Sequence, residues 1–118
     1  MQSRWTQDDF RRFALSLPEA HPGSHMGRED LRVRNKIFAT LPEDGRTVNL
    51  KTTPIALDML VRSDPATYRD VWGGRWVGVD LAAVTPDELT ELALEAYCLA
   101  APKKLCAAAR GMIEGEAR

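Results

Sequence analysis

Between Leu31 and Lys51 the chain alternates apolar and polar residues on either side of one turn. Leu31 and Val33 alternate with Arg32 and Arg34. Ile37, Ala39 and Leu41 alternate with Lys36, Phe38 and Thr40, and Val48 and Leu50 with Thr47, Asn49 and Lys51. A period of two belongs to a strand, whose successive side chains point to opposite faces. Pro42-Glu43-Asp44-Gly45 is a turn with a physical basis, since Gly45 accepts a positive φ without strain. The two runs around it are expected to pair as an antiparallel hairpin. Residues 75–81 repeat the pattern, with Val77, Val79 and Leu81 against Trp76, Gly78 and Asp80.

Helical signals flank these runs. Thr6 is an N-cap with Asp9 three residues on, and Phe10, Phe13, Ala14 and Leu17 form one apolar face, so residues 6–17 read as a helix stopped by Pro18. Gly23-Ser24-His25-Met26 happens to spell the remnant of a cleaved purification tag. A capped helix precedes it, so it is read as native sequence in the loop or first strand after that helix. Thr53-Pro54 opens a short helix, and Thr85-Pro86-Asp87-Glu88 opens a longer one to about Ala100. Pro102 can open a last helix through Arg110, leaving residues 111–118 as a frayed tail. The 63–75 segment is expected to be a long loop. The order predicts one α+β domain over residues 1–118, a two-layer antiparallel sheet with helices on one face.

Composition narrows the function classes. The chain has 118 residues, 16 basic and 17 acidic, for a formal net charge of -1. A polyanion would therefore have to be met by local clustering. No apolar run is long enough to span a membrane, and the charged start MQSRWTQDDFRRF lacks a signal-peptide core. Cys98 and Cys106 are expected to be reduced thiols packed as small hydrophobes in a cytoplasmic, monomeric protein.

If Leu31, Val33, Ile37, Ala39, Leu41, Val48, Leu50, Val77, Val79 and Leu81 face the helices, the other face carries cations among aromatics. Arg32, Arg34, Lys36 and Lys51, with Arg75 nearby, would meet phosphates, and Phe38 and Trp76 would stack on bases. The plain alternative is an ordinary polar open face. Tyr68 and Trp72, the other stacking groups expected, lie in the 63–75 segment, where Gly73-Gly74 would let the backbone approach a ligand. A small-anion pocket between that segment and the sheet would use His25, Lys36, Arg75 and Trp76. His21 and His25 could bind metal only with Glu19, Glu29 or Asp30, and no metal or other cofactor is expected. No nucleophile elbow, phosphate-binding loop or nucleotide fingerprint is present, so no enzymatic activity is expected.

Several stretches carry a resemblance. They are Leu17-Pro18-Glu19-Ala20, Ser24-His25-Met26-Gly27, the run Leu31 to Leu41, Leu50-Lys51, Gly73-Gly74-Arg75-Trp76-Val77 and Ala101-Pro102-Lys103-Lys104-Leu105. In this order the chain resembles the MmcQ/YjbR-like family of small bacterial proteins. The resemblance implies a two-layer α+β fold similar in outline to frataxin-like and secretion-chaperone-like domains. It also implies a DNA-binding role through a double-wing motif, with the hairpin Arg32 to Lys51 as a wing and Lys36, Lys51 and Trp76 as hallmark positions. A frataxin-like iron role needs an acidic helix ridge, and here Asp8 and Asp9 sit among Arg4, Arg11 and Arg12. Where relatives follow this tryptophan with threonine, this chain has Val77, which leaves no hydroxyl there. The expectation is a nucleic-acid-binding domain; the alternatives are a small-anion binder and a protein-interaction module.

Overall fold

A computed structural model describes residues 4–116. The described elements run α1 (Gln7–Leu15), β1 (Ala20–His25), β2 (Arg28–Val33), β3 (Lys36–Leu41), β4 (Thr47–Lys51), α2 (Pro54–Ser63), β5 (Tyr68–Asp70), β6 (Trp76–Asp80), α3 (Pro86–Ala100) and α4 (Lys103–Glu116). The strands form one antiparallel sheet in the order β1-β2-β3-β4-β6-β5. Helix α1 packs on β1 and β2, α3 on β2, β3 and β4, α2 on β5, and α4 on α3. The fold is therefore α+β with helices on one face of the sheet, as the alternation and caps imply.

The helix starts follow their caps. Thr6 accepts from the Asp9 N–H while the Asp9 carboxylate accepts from the Thr6 N–H, a reciprocal capping box. Thr53 and Thr85 accept from the N–H groups of Ala56 and Glu88, each with proline in the first turn. Pro18 acts beyond the helix: its carbonyl accepts from the Tyr97 hydroxyl at 2.8 Å, tying the end of α1 to α3.

Two strands go beyond the expectation. β1 runs through Pro22 and Gly23, so of the two placements open from sequence for the Gly23–Met26 string, loop or first strand, Gly23 to His25 take the strand. It is an edge strand, where a missing N–H costs no ladder bond. Strand β5 lies inside the expected 63–75 loop, pairing Tyr68 with Val79.

The register of β3 corrects the assignment of faces. Leu31 pairs with Ala39, but Arg32 pairs with Ile37, so Phe38 is an extra residue, a β-bulge. The bulge turns both Phe38 and Ala39 toward the helices. Phe38 is 0% exposed, with its ring edge-on to Tyr97 at 5.6 Å and 89°. Ile37, expected in the core, instead shares the open face with Arg32.

The two cysteines are also corrected. Cys98 of α3 and Cys106 of α4 are joined in a disulfide, with Cα atoms 4.9 Å apart. Proline at 102 turns the chain back so that the two helices face each other, which brings positions eight residues apart within bonding reach. The cysteines therefore no longer argue for a reducing compartment. Helix α4 continues past Arg110 to Glu116, with Ala109 buried and Ile113 packed on the core, so residues 111–116 are helix rather than tail. Residues 117–118 lie outside the described residues. Among the described residues no helix is long and apolar enough to cross a membrane.

Candidate site on the open face of the sheet

Two tight turns and one bulge shape the open face. Met26 and Gly27 join β1 to β2 with φ of 53° and 79°, and Arg34 and Asn35 join β2 to β3 with φ of 51° and 64°. Two consecutive positive φ values match the right-handed twist of a two-residue hairpin. The first turn sets His25 opposite Arg28. At the other side of the sheet, Asp70 accepts from the Gly74 N–H at 3.0 Å, and Gly73 and Gly74 both take positive φ. That loop carries Trp72 against Trp76, with ring centroids 5.5 Å apart and planes at 76°.

Between these walls lies a hollow of about 540 Å³. Trp72 and Trp76 form one wall, His25, Met26 and Arg28 the other, and Asp30, Ile37 and Thr40 the floor. Its volume and mainly apolar lining fit the usual range for a small-molecule site. Trp72 is 49% exposed and Met26 88% exposed, so apolar surface waits at the rim.

The floor is built by paired charges. Asp30 is 1% exposed. It accepts from Arg32 Nε at 2.8 Å and from a second Arg32 nitrogen at 3.1 Å, and Arg32 also donates to the Ser24 carbonyl and to Asn35. This arm lies across Gly23, where a Cβ would collide with Arg32 Nε and Asp30 Oδ1. Thr40 Oγ1 accepts from Asn49 Nδ2 at 3.1 Å.

The residues singled out from sequence separate into three groups. His25, Trp72 and Trp76 line the hollow. Phe38 and Tyr68 do not reach solvent and cannot stack on a ligand. Phe38 is in the core, and Tyr68 donates its hydroxyl to Glu88 at 2.9 Å, so burial and that carboxylate push the phenol well above its ordinary pKa. The cations disperse. Arg32 is held by Asp30, and Arg34 sits in a turn with a two-point contact to Glu19, the nearer at 2.6 Å. Lys36 and Arg75 are exposed and do not line the hollow; Lys51 pairs with Trp76 across β4 and β6 and so shares the open face, while also bordering a smaller hollow of about 280 Å³ beside Cys98.

Six lining residues were not among the binding residues expected from sequence: Met26, Arg28, Glu29, Asp30, Ile37 and Thr40. Ile37 is there only because of the bulge. Arg28 and Asp30 follow from β1, since recognising Met26-Gly27 as a two-residue turn would have placed both on the face of His25. The carboxylates named as metal partners for His21 and His25 are engaged by arginines: Glu19 by Arg34, Glu29 by Arg11 and Asp30 by Arg32. Among the described residues no three metal-ligating side chains come together.

Fold and site together define a small two-layer α+β domain with a ligand-sized hollow on the uncovered face of its sheet. A family model described as YjbR matches residues 15–99. The chain belongs to the YjbR family. Among solved structures it is similar to Deinococcus radiodurans protein DR2400, which carries a DUF419 domain: TM-score 0.75, 22% identity, 97% of this chain and 92% of that one covered. It is also similar to a Pseudomonas syringae protein at TM-score 0.63 and 14% identity, covering 82% of this chain and 100% of that one. At these identities the likeness is one of fold. None of the curated proteins matches the sequence.

Proposed function

We propose that the open face of the sheet binds nucleotide units, taking one base into the hollow against Trp72 and Trp76 with its phosphate near Arg28. The observation that carries this reading is the pair of tryptophans walling a concave, mainly apolar site beside an arginine that has no carboxylate partner among the described residues. A base stacked on an aromatic side chain contributes roughly 1–3 kcal/mol whatever its identity. The protein acts here as a binding module, with no reaction assigned to it.

The geometry favours an unpaired base over a duplex. Of the four cations expected on this face, Arg32 and Arg34 already hold carboxylates, which leaves the hairpin a poor phosphate clamp. A hollow, unlike a flat basic wing, accepts a base that is out of its stack. Few phosphate contacts imply modest affinity and a shallow salt slope, about 0.7 per phosphate for a single strand.

Fluorescence anisotropy of a labelled single-stranded oligonucleotide at ~50 mM salt tests this, with the matching duplex and mononucleotides as competitors. Single strands and mononucleotides are expected to compete and the duplex to compete poorly. Trp72→Ala, at an exposed position, is expected to weaken binding by roughly five- to a hundredfold. Absence of binding at tens of micromolar protein, or unchanged binding by Trp72→Ala, overturns the proposal.

A further inference from the structure

We propose that the Cys98–Cys106 disulfide is a thiol-exchange site, opened at Cys98 by a small carboxylate-bearing thiol seated in the second hollow. That hollow measures about 280 Å³ and lies among the end of β4, the start of α2, and helices α3 and α4. Its size is just below the usual range for a small-molecule site, so it suits a compact ligand. Cys98 lines it and Cys106 does not. Both cysteines are only half-buried, which leaves the bond within reach of a reagent.

The charges at its edge favour an anion. Lys51 and Arg110 border the hollow with Glu95, two cations to one carboxylate. Neither cation holds a carboxylate among the described residues. Arg110 follows Cys106 by one turn of α4, so the two positions share one face of the helix. A ligand carboxylate met by Arg110 and Lys51 would bring its thiol alongside Cys98.

The helices give the exchange a direction. A thiolate in the hollow meets Cys98 first, which makes Cys106 the leaving sulfur. Cys106 stands in the first turn of α4, beside Lys103 and Lys104, where the helix dipole and two cations favour a negative sulfur. Cys98 stands in the last turn of α3, among carbonyl ends that disfavour one. Access and charge thus select the same sulfur for attack and the same sulfur for departure.

The incoming thiolate bonds to Cys98 Sγ, the Cys98–Cys106 bond breaks, and its electron pair leaves on Cys106 Sγ, which takes a proton from water. The product is a mixed disulfide at Cys98 and a thiol at Cys106, with no net oxidation. A second equivalent of the thiol attacks the ligand sulfur and frees Cys98. The ligand then departs as its own disulfide, and the protein bond has gained two electrons.

Three two-carbon thiols separate charge from size: mercaptoacetate is anionic, mercaptoethanol neutral and cysteamine cationic. Each is reacted with the wild-type protein, quenched at early times by alkylation and read by mass spectrometry. Each rate is divided by that thiol's rate on hydroxyethyl disulfide, which removes intrinsic nucleophilicity. At ~20 mM salt mercaptoacetate is expected roughly three- to thirtyfold ahead of cysteamine, with mercaptoethanol between, and ~1 M salt should close the gap. Peptide mapping should find the ligand on Cys98 and the alkyl label on Cys106. Arg110→Gln, at an exposed position, should narrow the gap at least about twofold. Equal normalised rates, a ligand found chiefly on Cys106, or a gap unchanged by Arg110→Gln overturns the proposal.

Discussion

Strict alternation along β3 makes Ile37 a core residue and Phe38 a surface one, and the bulge reverses both. Phe38→Ala and Ile37→Thr therefore form a paired test of the register. Phe38 is wholly buried against α3, edge-on to Tyr97. Truncating a buried phenylalanine costs about 3–5 kcal/mol, through lost transfer energy and the cavity left behind. The ring pair accounts for about 0.5–1.5 kcal/mol of that. Ile37 keeps its β-branch in Ile37→Thr and sits at the hollow's floor, so its cost should be about 1 kcal/mol or less. Urea unfolding followed by far-UV circular dichroism reads both. With an m-value of about 2 kcal/mol/M, Phe38→Ala should lower the midpoint by roughly 1.5–2.5 M and Ile37→Thr by no more than about 0.5 M. A larger shift for Ile37→Thr than for Phe38→Ala would refute the bulge, and with it the placement of Ile37 in the hollow.

Two further outcomes are expected. Reducing the Cys98–Cys106 bond, or replacing both residues by alanine, should destabilise the protein by roughly 2–3 kcal/mol and raise amide exchange along α4, because the short closed loop no longer limits the unfolded chain; two titratable thiols in the folded, air-oxidised protein would contradict the bond. The hydrogen bond from Arg34 holds the Glu19 carboxyl below its ordinary pKa, and the Thr6 N–H does the same for Asp9. Both groups take up protons more readily unfolded than folded, so their stabilisation is present above the ordinary carboxylate range and is lost as the pH falls through and below it. Urea midpoints measured from about pH 6 down to about pH 2.5 should fall more steeply for the wild type than for Glu19→Gln, and identical slopes would rule the Arg34 contact out.

Local rules were legible in the sequence, and non-local ones were not. Caps announce themselves within four residues, and Thr6, Thr53 and Thr85 each start a helix as their side chains require. The β3–β4 hairpin follows from alternation and its turn. Strand β1 stayed open between loop and strand because Pro22 is normally excluded from a sheet, and only its edge position, a property of the whole sheet, makes it tolerable. The bulge at Phe38 has no local signature either. The buried Phe38 ring packs edge-on against Tyr97 of α3, a contact between elements distant in sequence. The cysteine pair needed the angle between α3 and α4, which spacing alone does not supply.

The charges offer a sharper lesson for the candidate site. Counting cations on a face from sequence treats each as available, yet a strand places residues i and i+2 on the same side. Asp30-Leu31-Arg32 therefore predicts its own ion pair: the carboxylate and guanidinium lie on one face and meet at 2.8 Å. The pair removes Arg32 from phosphate binding and leaves Asp30 buried beneath it. A partly buried charge pair of this kind stabilises the fold little in itself, because desolvation offsets much of the attraction. What it does is hold position. With Arg32 anchored over Gly23 and Asp30, the floor of the hollow keeps one shape, and under the proposed function stacking on Trp72 and Trp76 would supply affinity without base preference. Under that proposal a loss of stacking at Trp72 should weaken all nucleotides together, because every base has a face to stack.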